Sequence, residues 1–217
     1  MHKIKFDTLK YDFRKKISEI FNANLEELHK EFEFEKKLFT MQNNSDTKFH
    51  RIFYDKINSG WNDFDDLYKN FIKDVVRSNV DEKLFIFQKN PTLRIHFANN
   101  WATPEFHCDS QPGYNHPKGE INFILPLTKC INTNAVWAES EPGKSDYKPM
   151  DAIYGELIQF DGNILKHGNK INKENQTRVS FDFRILPKSK YTPDKYEFTS
   201  GTKKLKFQIG SYYKEIE

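Results

Sequence analysis

His107-Cys108-Asp109 is the stretch from which the fold and chemistry of this chain can be inferred. In an extended strand alternate side chains share a face, so His107 and Asp109 are predicted to point the same way and Cys108 away from them. A second histidine, His167, follows after enough chain for several strands to cross a small barrel and return. Two imidazoles and one carboxylate are the facial ligand set of non-haem Fe(II), which leaves three positions open. The sequence therefore predicts a metal site at His107, Asp109 and His167.

A basic strand-like segment follows the second histidine. In Arg178-Val179-Ser180, alternation places Arg178 and Ser180 on one face. A guanidinium fork and a hydroxyl can hold a carboxylate through charge-assisted hydrogen bonds. We therefore expect these two side chains to bind a carboxylate group.

The order of these residues, His-x-Asp, a distal His and then Arg-x-Ser, resembles the Fe(II)/2-oxoglutarate-dependent oxygenases. The sequence around these motifs, residues 104–110 and 119–128, is similar to a narrower subgroup of this family. The members of this subgroup are related to the streptomycin-biosynthesis oxygenases and the phytanoyl-CoA-hydroxylase-like enzymes. The resemblance covers roughly residues 93–187, and a weaker similarity is found at Tyr212-Tyr213. The N-terminal third resembles no family.

The resemblance implies a role for each motif residue. Fe(II) would be held by His107, Asp109 and His167. Arg178 and Ser180 would hold the far carboxylate of 2-oxoglutarate, whose keto-acid end chelates the iron. O2 would be the oxidant.

The implied reaction is hydroxylation of a small polar metabolite, such as a sugar, cyclitol or nucleotide sugar, with release of succinate and CO2. Related halogenases lack the carboxylate ligand, so Asp109 favours hydroxylation, desaturation or epimerisation over halogenation. Two alternatives stay open. One is a cupin-type metal-binding isomerase or epimerase without O2 chemistry, and the other is a non-catalytic barrel.

Five further side chains are candidates for contacts in the pocket. Asn122 shares a strand face with Ile124 and is a candidate donor to the co-substrate. The candidate substrate contacts are polar or aromatic residues on strands and on the loop after the first histidine: Arg94, His116, Trp137 and Glu139.

Composition excludes several classes of partner. The net charge of +3 comes from 34 basic and 31 acidic residues that are interleaved along the chain, without the basic stripe of a nucleic-acid-binding surface. No apolar run approaches the length of a membrane span. Cys108 and Cys130 have neither zinc-site nor disulfide spacing, which suits a reducing compartment. We expect a cytoplasmic enzyme with a small-molecule substrate.

The hydrophobic period divides the chain into a helical region, residues 1–83, and a β core, residues 84–217, within one domain. Apolar residues at helical spacing predict helices over 63–79 and 48–57, and a cap-like Asn24 predicts another with Leu25, Leu28 and Phe32 on its apolar side. From Leu84 the period is two.

Short strands are predicted without helices between them, which is typical of an antiparallel barrel or sandwich. Their ranges are 84–87, 92–97, 120–127, 134–140, 156–162, 178–186 and a tail strand at 205–213. Residues 141–147, rich in turn formers, are predicted to form a mobile lid. The resemblance makes the fold class mainly β with N-terminal helices, a double-stranded β-helix (jelly roll, cupin-like) buttressed by those helices.

Overall fold

The computed structural model describes residues 1–31, 38–40, 43–103, 105–193 and 206–216. Within these ranges the strands form two sheets. The larger has seven strands: β1 His2–Lys5, β2 Phe85–Gln88, β3 Thr92–His96, β4 Ile121–Pro126, β7 Glu156–Phe160, β9 Arg178–Pro187 and β10 Tyr213–Glu215. The smaller has three: β5 Trp137–Ala138, β6 Lys148–Pro149 and β8 His167–Gly168.

Strand β9 is the centre of the larger sheet. It pairs antiparallel with β4 along one edge and, along the other, with β3 and then β2 in succession. Its ten residues alternate strictly, so one face is apolar and the other carries four polar side chains, Arg178, Ser180, Asp182 and Arg184. The apolar face packs on the helices, and the polar face turns toward a cavity between the two sheets.

The helices cover the apolar face of the larger sheet. They are α1 Phe13–Phe21, a 3-10 helix Leu25–Lys30, α2 Lys48–Asn58, α3 Asn62–Phe71, and α4 Arg77–Asn79, which continues α3 through a π-helical turn at Ile72–Val76. Aromatic rings make the contact: Phe181 meets Phe13, Phe53 and Phe64 at centroid distances of 5.6 to 6.0 Å. No described helix is long and apolar enough to cross a membrane.

The helical prediction for residues 1–83 is wrong in two places, at His2–Lys5 and at the helix predicted from Asn24. The chain starts with β1, which pairs antiparallel with β7, because Ile4 alternates with exposed polar neighbours and buries its side chain against the sheet. The helix predicted from Asn24 is a single 3-10 segment, in which the Asn24 side chain accepts from the Glu26 amide. Phe32 lies outside the described residues.

Helix 63–79 is confirmed with the π-helical turn in its middle, and the helix at 48–57 is confirmed as α2. The strand predicted at 134–140 is shorter in the structure, where only β5 is a strand, because a 3-10 turn at Asn132–Asn134 precedes it. The tail strand predicted at 205–213 is wrong in its range: residues 206–212 form a loop and turns, the strand is β10 at Tyr213–Glu215, which pairs with β2, and Leu205 lies outside the described residues. The mainly antiparallel β fold is confirmed, while the jelly-roll connectivity stays a prediction.

Candidate metal centre

The two histidines are joined through their backbones. His107 and His167 exchange amide-to-carbonyl hydrogen bonds of 3.0 and 2.9 Å, which form an isolated antiparallel bridge. Each Nδ1 lies 3.0 Å from a carbonyl two residues earlier, that of Glu105 or Leu165. A carbonyl can only accept, so each Nδ1 carries the proton and each Nε2 keeps a free lone pair.

Both free nitrogens face one carboxylate oxygen. Oδ1 of Asp109 lies 3.6 Å from Nε2 of His107 and 3.7 Å from Nε2 of His167. The regular strand predicted for His107-Cys108-Asp109 is wrong: His107 forms the bridge, and Asp109 begins a turn whose amide bonds the Gly162 carbonyl at 2.9 Å. The convergence comes from this turn rather than from strand alternation.

The other carboxylate oxygen is clamped from two sides. Oδ2 of Asp109 accepts from Nε of Arg184 at 2.7 Å and from Nδ2 of Asn122 at 2.6 Å. Burial is the largest single effect and would raise the pKa of Asp109, but Arg184, His116, His107 and His167 together outweigh burial and hold the pKa well below its ordinary value. Asp109 is therefore an ionised ligand with one oxygen committed to the protein and one available.

The donor set fits a divalent metal ion. The three ligand atoms lie within 4.8 Å of one another, and all three residues are buried. Burial lowers the pKa of His167 to about 4, so its imidazole is neutral at physiological pH, as ligation requires. Close approach of the backbone also contributes, since a Cβ at Gly168 would lie 2.9 Å from the Glu105 carbonyl oxygen.

A second group of potential ligands shares Asp109 but is already neutralised. It adds His116 and Glu120, with ligand atoms also within 4.8 Å. Arg184 lies inside this group, 3.8 Å from Oε2 of Glu120, and Glu120 also bonds His116 at 2.8 Å and accepts from the Tyr213 hydroxyl. A guanidinium takes the place that a second cation would need.

The predicted carboxylate-binding pair lies in the same interior. Arg178 and Ser180 are buried, and Nε and Nη1 of Arg178 and Oγ of Ser180 have no hydrogen-bond partner in the described residues. Buried polar groups are normally satisfied, and three unpaired donor groups on successive inward positions of one strand have the chemistry to bind an anion. Arg178, His107 and His167 line one cavity.

Of the predicted pocket contacts, Asn122 and Arg94 line this cavity. Asn122 donates one of its two amide N–H groups to Asp109, and its Oδ1 has no hydrogen-bond partner in the described residues, so the bond predicted from Asn122 to the co-substrate stays a prediction. Arg94 forms an ion pair with Asp182, with 2.9 Å between Nε and Oδ2.

Three predicted substrate contacts lie outside the cavity lining. His116 bonds Glu120 instead. The Trp137 indole donates to a backbone carbonyl at 3.0 Å, and the Lys170 ammonium lies 3.3 Å from its ring centroid. Glu139 accepts from the backbone amides of Gly143, Ser145 and Lys166, so its carboxylate organises the loop at 140–147 and joins it to Lys166.

Arg184 is the functional residue that sequence reasoning missed. Its signal was present, because Arg184 continues the period-two series that begins with Arg178 and Ser180 and therefore points to the same face. Its partner could not be read from the sequence, since Asp109 lies far along the chain. Only the pairing of β4 with β9, which sets Asn122 opposite Arg184, brings both donors to one carboxylate.

Beside Arg178, a buried histidine makes the stability of the protein depend on pH. Burial and the charge of Arg178 lower the pKa of His96 to about 3, against an ordinary value near 6.5 in the unfolded chain. The folded state therefore binds fewer protons, and stability is lost as pH falls below the unfolded pKa. We expect His96 to remove about 2 kcal/mol from the free energy of unfolding of the apoprotein between about pH 7 and pH 5.

Urea denaturation across this pH range measures the loss. The variant His96→Gln should show a shallower pH dependence, and the exposed control His2→Gln should match the wild type. Equal slopes for His96→Gln and wild type would contradict the assignment.

Comparison with known proteins gives the family. The sequence matches no protein-family model. Over 181 residues it is 32% identical to the streptomycin biosynthesis protein StrG of Streptomyces griseus, in an alignment covering 83% of this chain and 82% of that protein. The chain belongs to the StrG family. The streptomycin-biosynthesis part of the resemblance is thereby confirmed.

Solved structures similar to this StrG-family chain include one with Fe(II) and alpha-ketoglutarate and one described as a non-haem monooxygenase. CytC3 with Fe(II) and alpha-ketoglutarate has a TM-score of 0.47 and 11% identity, covering 91% of this chain and 77% of that one. The non-haem monooxygenase ThoJ in its nickel complex has a TM-score of 0.48 and 10% identity, covering 95% and 78%. AviO1 from Streptomyces viridochromogenes Tue57 has a TM-score of 0.45 and 12% identity, and the match covers 87% of this chain and 89% of that one. At these scores the chemistry of this chain has to be argued from its own side chains.

Proposed function

We propose that this chain is an Fe(II)- and 2-oxoglutarate-dependent dioxygenase that hydroxylates a small polar metabolite, with release of succinate and CO2. One observation carries the proposal. A single carboxylate oxygen of Asp109 faces two free imidazole nitrogens, and both histidines line a cavity that is also lined by Arg178, two of whose nitrogens are unpaired. This set supplies the ligands of a facial metal site and a separate anchor for an anion.

His107, Asp109 and His167 would hold the iron, which supplies the redox chemistry that activates O2 when bound. The protein prepares the ligands in advance. The carbonyls of Glu105 and Leu165 fix the tautomer and orientation of the two imidazoles, so neither ring has to rotate or lose a proton on ligation. The ionised carboxylate contributes one negative charge, and three protein ligand atoms leave room for a chelating co-substrate.

Arg178 and Ser180 would bind the far carboxylate of 2-oxoglutarate. The guanidinium has two unpaired N–H groups, and the Ser180 hydroxyl lies two residues further along the same face of β9. Both side chains are shielded from water, where charge-assisted hydrogen bonds are strongest. This anchor would orient the keto-acid end of the co-substrate toward the histidines.

The substrate is proposed to be a sugar, a cyclitol or a nucleotide-sugar-like metabolite. The cavity mixes apolar walls from Ile124, Val136 and Phe160 with the Arg94–Asp182 ion pair, which suits a small polar molecule. Membership of a family that includes an antibiotic-biosynthesis protein supports a small-molecule substrate. Both cysteines are free, which suits the reducing cytoplasm proposed as its location.

The test is the visible charge-transfer band that Fe(II) and 2-oxoglutarate form together. Purified apoprotein is mixed anaerobically with Fe(II) and 2-oxoglutarate, and the absorption spectrum is recorded with and without each component. We expect a weak band that needs both and that is absent in His107→Ala, since this variant removes a ligand and leaves Arg178 unchanged. Tight binding of a divalent metal without the band would instead favour the cupin-type isomerase or epimerase.

A further inference from the structure

The two oxygens of the Asp109 carboxylate have different environments. Oδ1 faces the two imidazole nitrogens, while Oδ2 accepts two hydrogen bonds, of 2.7 Å from Arg184 and 2.6 Å from Asn122. A carboxylate oxygen that already accepts a charged and a neutral donor is a poor ligand for a cation, because metal binding would displace both donors and bring the ion toward a guanidinium.

Arg184 is itself held in place from the opposite side. Its side chain is buried, its Nε lies 3.8 Å from Oε2 of Glu120, and its Nη1 donates to the Tyr212 hydroxyl at 3.5 Å. The Tyr212 hydroxyl in turn donates to Oε1 of Gln88 at 2.8 Å, so it accepts from Arg184. The guanidinium therefore cannot swing away from Asp109 without losing its contact with Glu120 and its hydrogen bond to Tyr212.

We propose that Arg184 is a positioning residue that makes Asp109 a ligand through one oxygen only. The inference rests on the metal site of the proposed function. Three protein ligand atoms leave three of the six positions around Fe(II) open. A chelating co-substrate fills two of them, so the third is available to O2 only while Oδ2 stays away from the metal.

Two measurements separate this role from a merely structural one. The first is the anaerobic visible band with Fe(II) and 2-oxoglutarate, which reports binding of metal and co-substrate. The second is the electron paramagnetic resonance signal that nitric oxide, an unreactive stand-in for O2, gives when it occupies the remaining position. The variants are Arg184→Gln and Arg184→Lys. The control is Arg14→Gln, which breaks an arginine–carboxylate pair with Glu26 in the helical layer.

We expect wild type and Arg14→Gln to give both signals. Arg184→Gln should keep the visible band but lose at least about tenfold of the nitric oxide signal per bound iron, because Oδ2 loses its charged donor and the neutral bond from Asn122 alone does not keep it from the third position. Arg184→Lys, whose ammonium can still donate to Oδ2, should fall between wild type and Arg184→Gln. If Arg184→Gln does not fold, a reduced signal in folded Arg184→Lys supports the inference.

Each of the other outcomes overturns it. An undiminished nitric oxide signal in Arg184→Gln, or in Arg184→Lys where only that variant folds, shows that Asp109 needs no arginine to bind through one oxygen. Loss of iron from a folded Arg184→Gln shows that Arg184 acts on metal affinity instead. Wild-type protein without the visible band refutes the proposed function and the inference together, whereas a normal band with an unchanged variant refutes the inference alone.

Discussion

Replacing Asp109 with alanine is expected to lower the affinity for Fe(II) by more than about 100-fold and to abolish succinate formation. Loss of a hydrogen-bond partner behind a metal ligand typically costs about 10–100-fold, and this variant removes the ligand itself. It also leaves Arg184 and Asn122 without their shared acceptor, and two neutral imidazoles cannot balance the charge of the metal.

Iron titration under anaerobic conditions and succinate analysis in air measure the two effects. The matched control is Asp66→Ala, on the exposed face of α3, which should behave like wild type. Circular dichroism distinguishes loss of the site from loss of the fold. We expect Asp109→Ala to fold, because Glu120, 3.8 Å from Arg184, still pairs with the Arg184 guanidinium. Wild-type succinate formation in folded Asp109→Ala would remove Asp109 from the ligand set.

Replacing Arg178 with methionine is expected to weaken 2-oxoglutarate binding by about 30-fold or more while leaving Fe(II) binding intact. Truncating one partner of a buried charge pair costs about 2–5 kcal/mol, and Arg178 is buried beside the unpaired Ser180 hydroxyl. Titration of the visible band with 2-oxoglutarate at fixed Fe(II) gives the dissociation constant. An unchanged constant would show that another cation holds the co-substrate.

In the apoprotein, without metal and 2-oxoglutarate, Arg178→Met is expected to keep or raise the stability of the protein. In the described residues Arg178 forms no ion pair, and two of its nitrogens lack hydrogen-bond partners, so its burial costs free energy until an anion arrives. Apoprotein Arg178→Met should therefore unfold at the same temperature as wild type or higher. 2-Oxoglutarate, added to the metal-loaded protein, should raise the unfolding temperature of wild type further by mass action, and that of metal-loaded Arg178→Met much less at the same concentration. A strongly destabilised Arg178→Met apoprotein would show that the arginine is structural.

The metal ligands could be predicted from the sequence because residue type and order specify them without knowledge of the contacts. Even there the reason was partly wrong. His107 and Asp109 converge through a backbone bridge and a turn, and the turn depends on a bond to the Gly162 carbonyl that no local pattern reveals. The period-two pattern of β9 was readable because one of its faces is apolar throughout.

The residues that were misassigned are polar side chains whose partners are distant or are backbone groups. Glu139 looked like a substrate contact, yet it satisfies amides in the loop that follows it and at Lys166. From the sequence alone, a glutamate that binds substrate cannot be distinguished from a glutamate that organises a loop. Only the folded course of residues 140–147 distinguishes them, and that course depends on tertiary contacts such as the 4.5 Å ring contact of Phe106 with Tyr147.

The backbone bridge between His107 and His167 also bears on chain entropy. The bridge closes residues 108–166, which include β4 to β7, into a loop in the sense of polymer theory. Bringing the ends of so long a segment together costs conformational entropy. Here two main-chain hydrogen bonds, both between protein groups, close it within the folded protein. The free energy of metal binding is therefore not consumed in ordering this loop, in contrast to small domains that fold only around their metal.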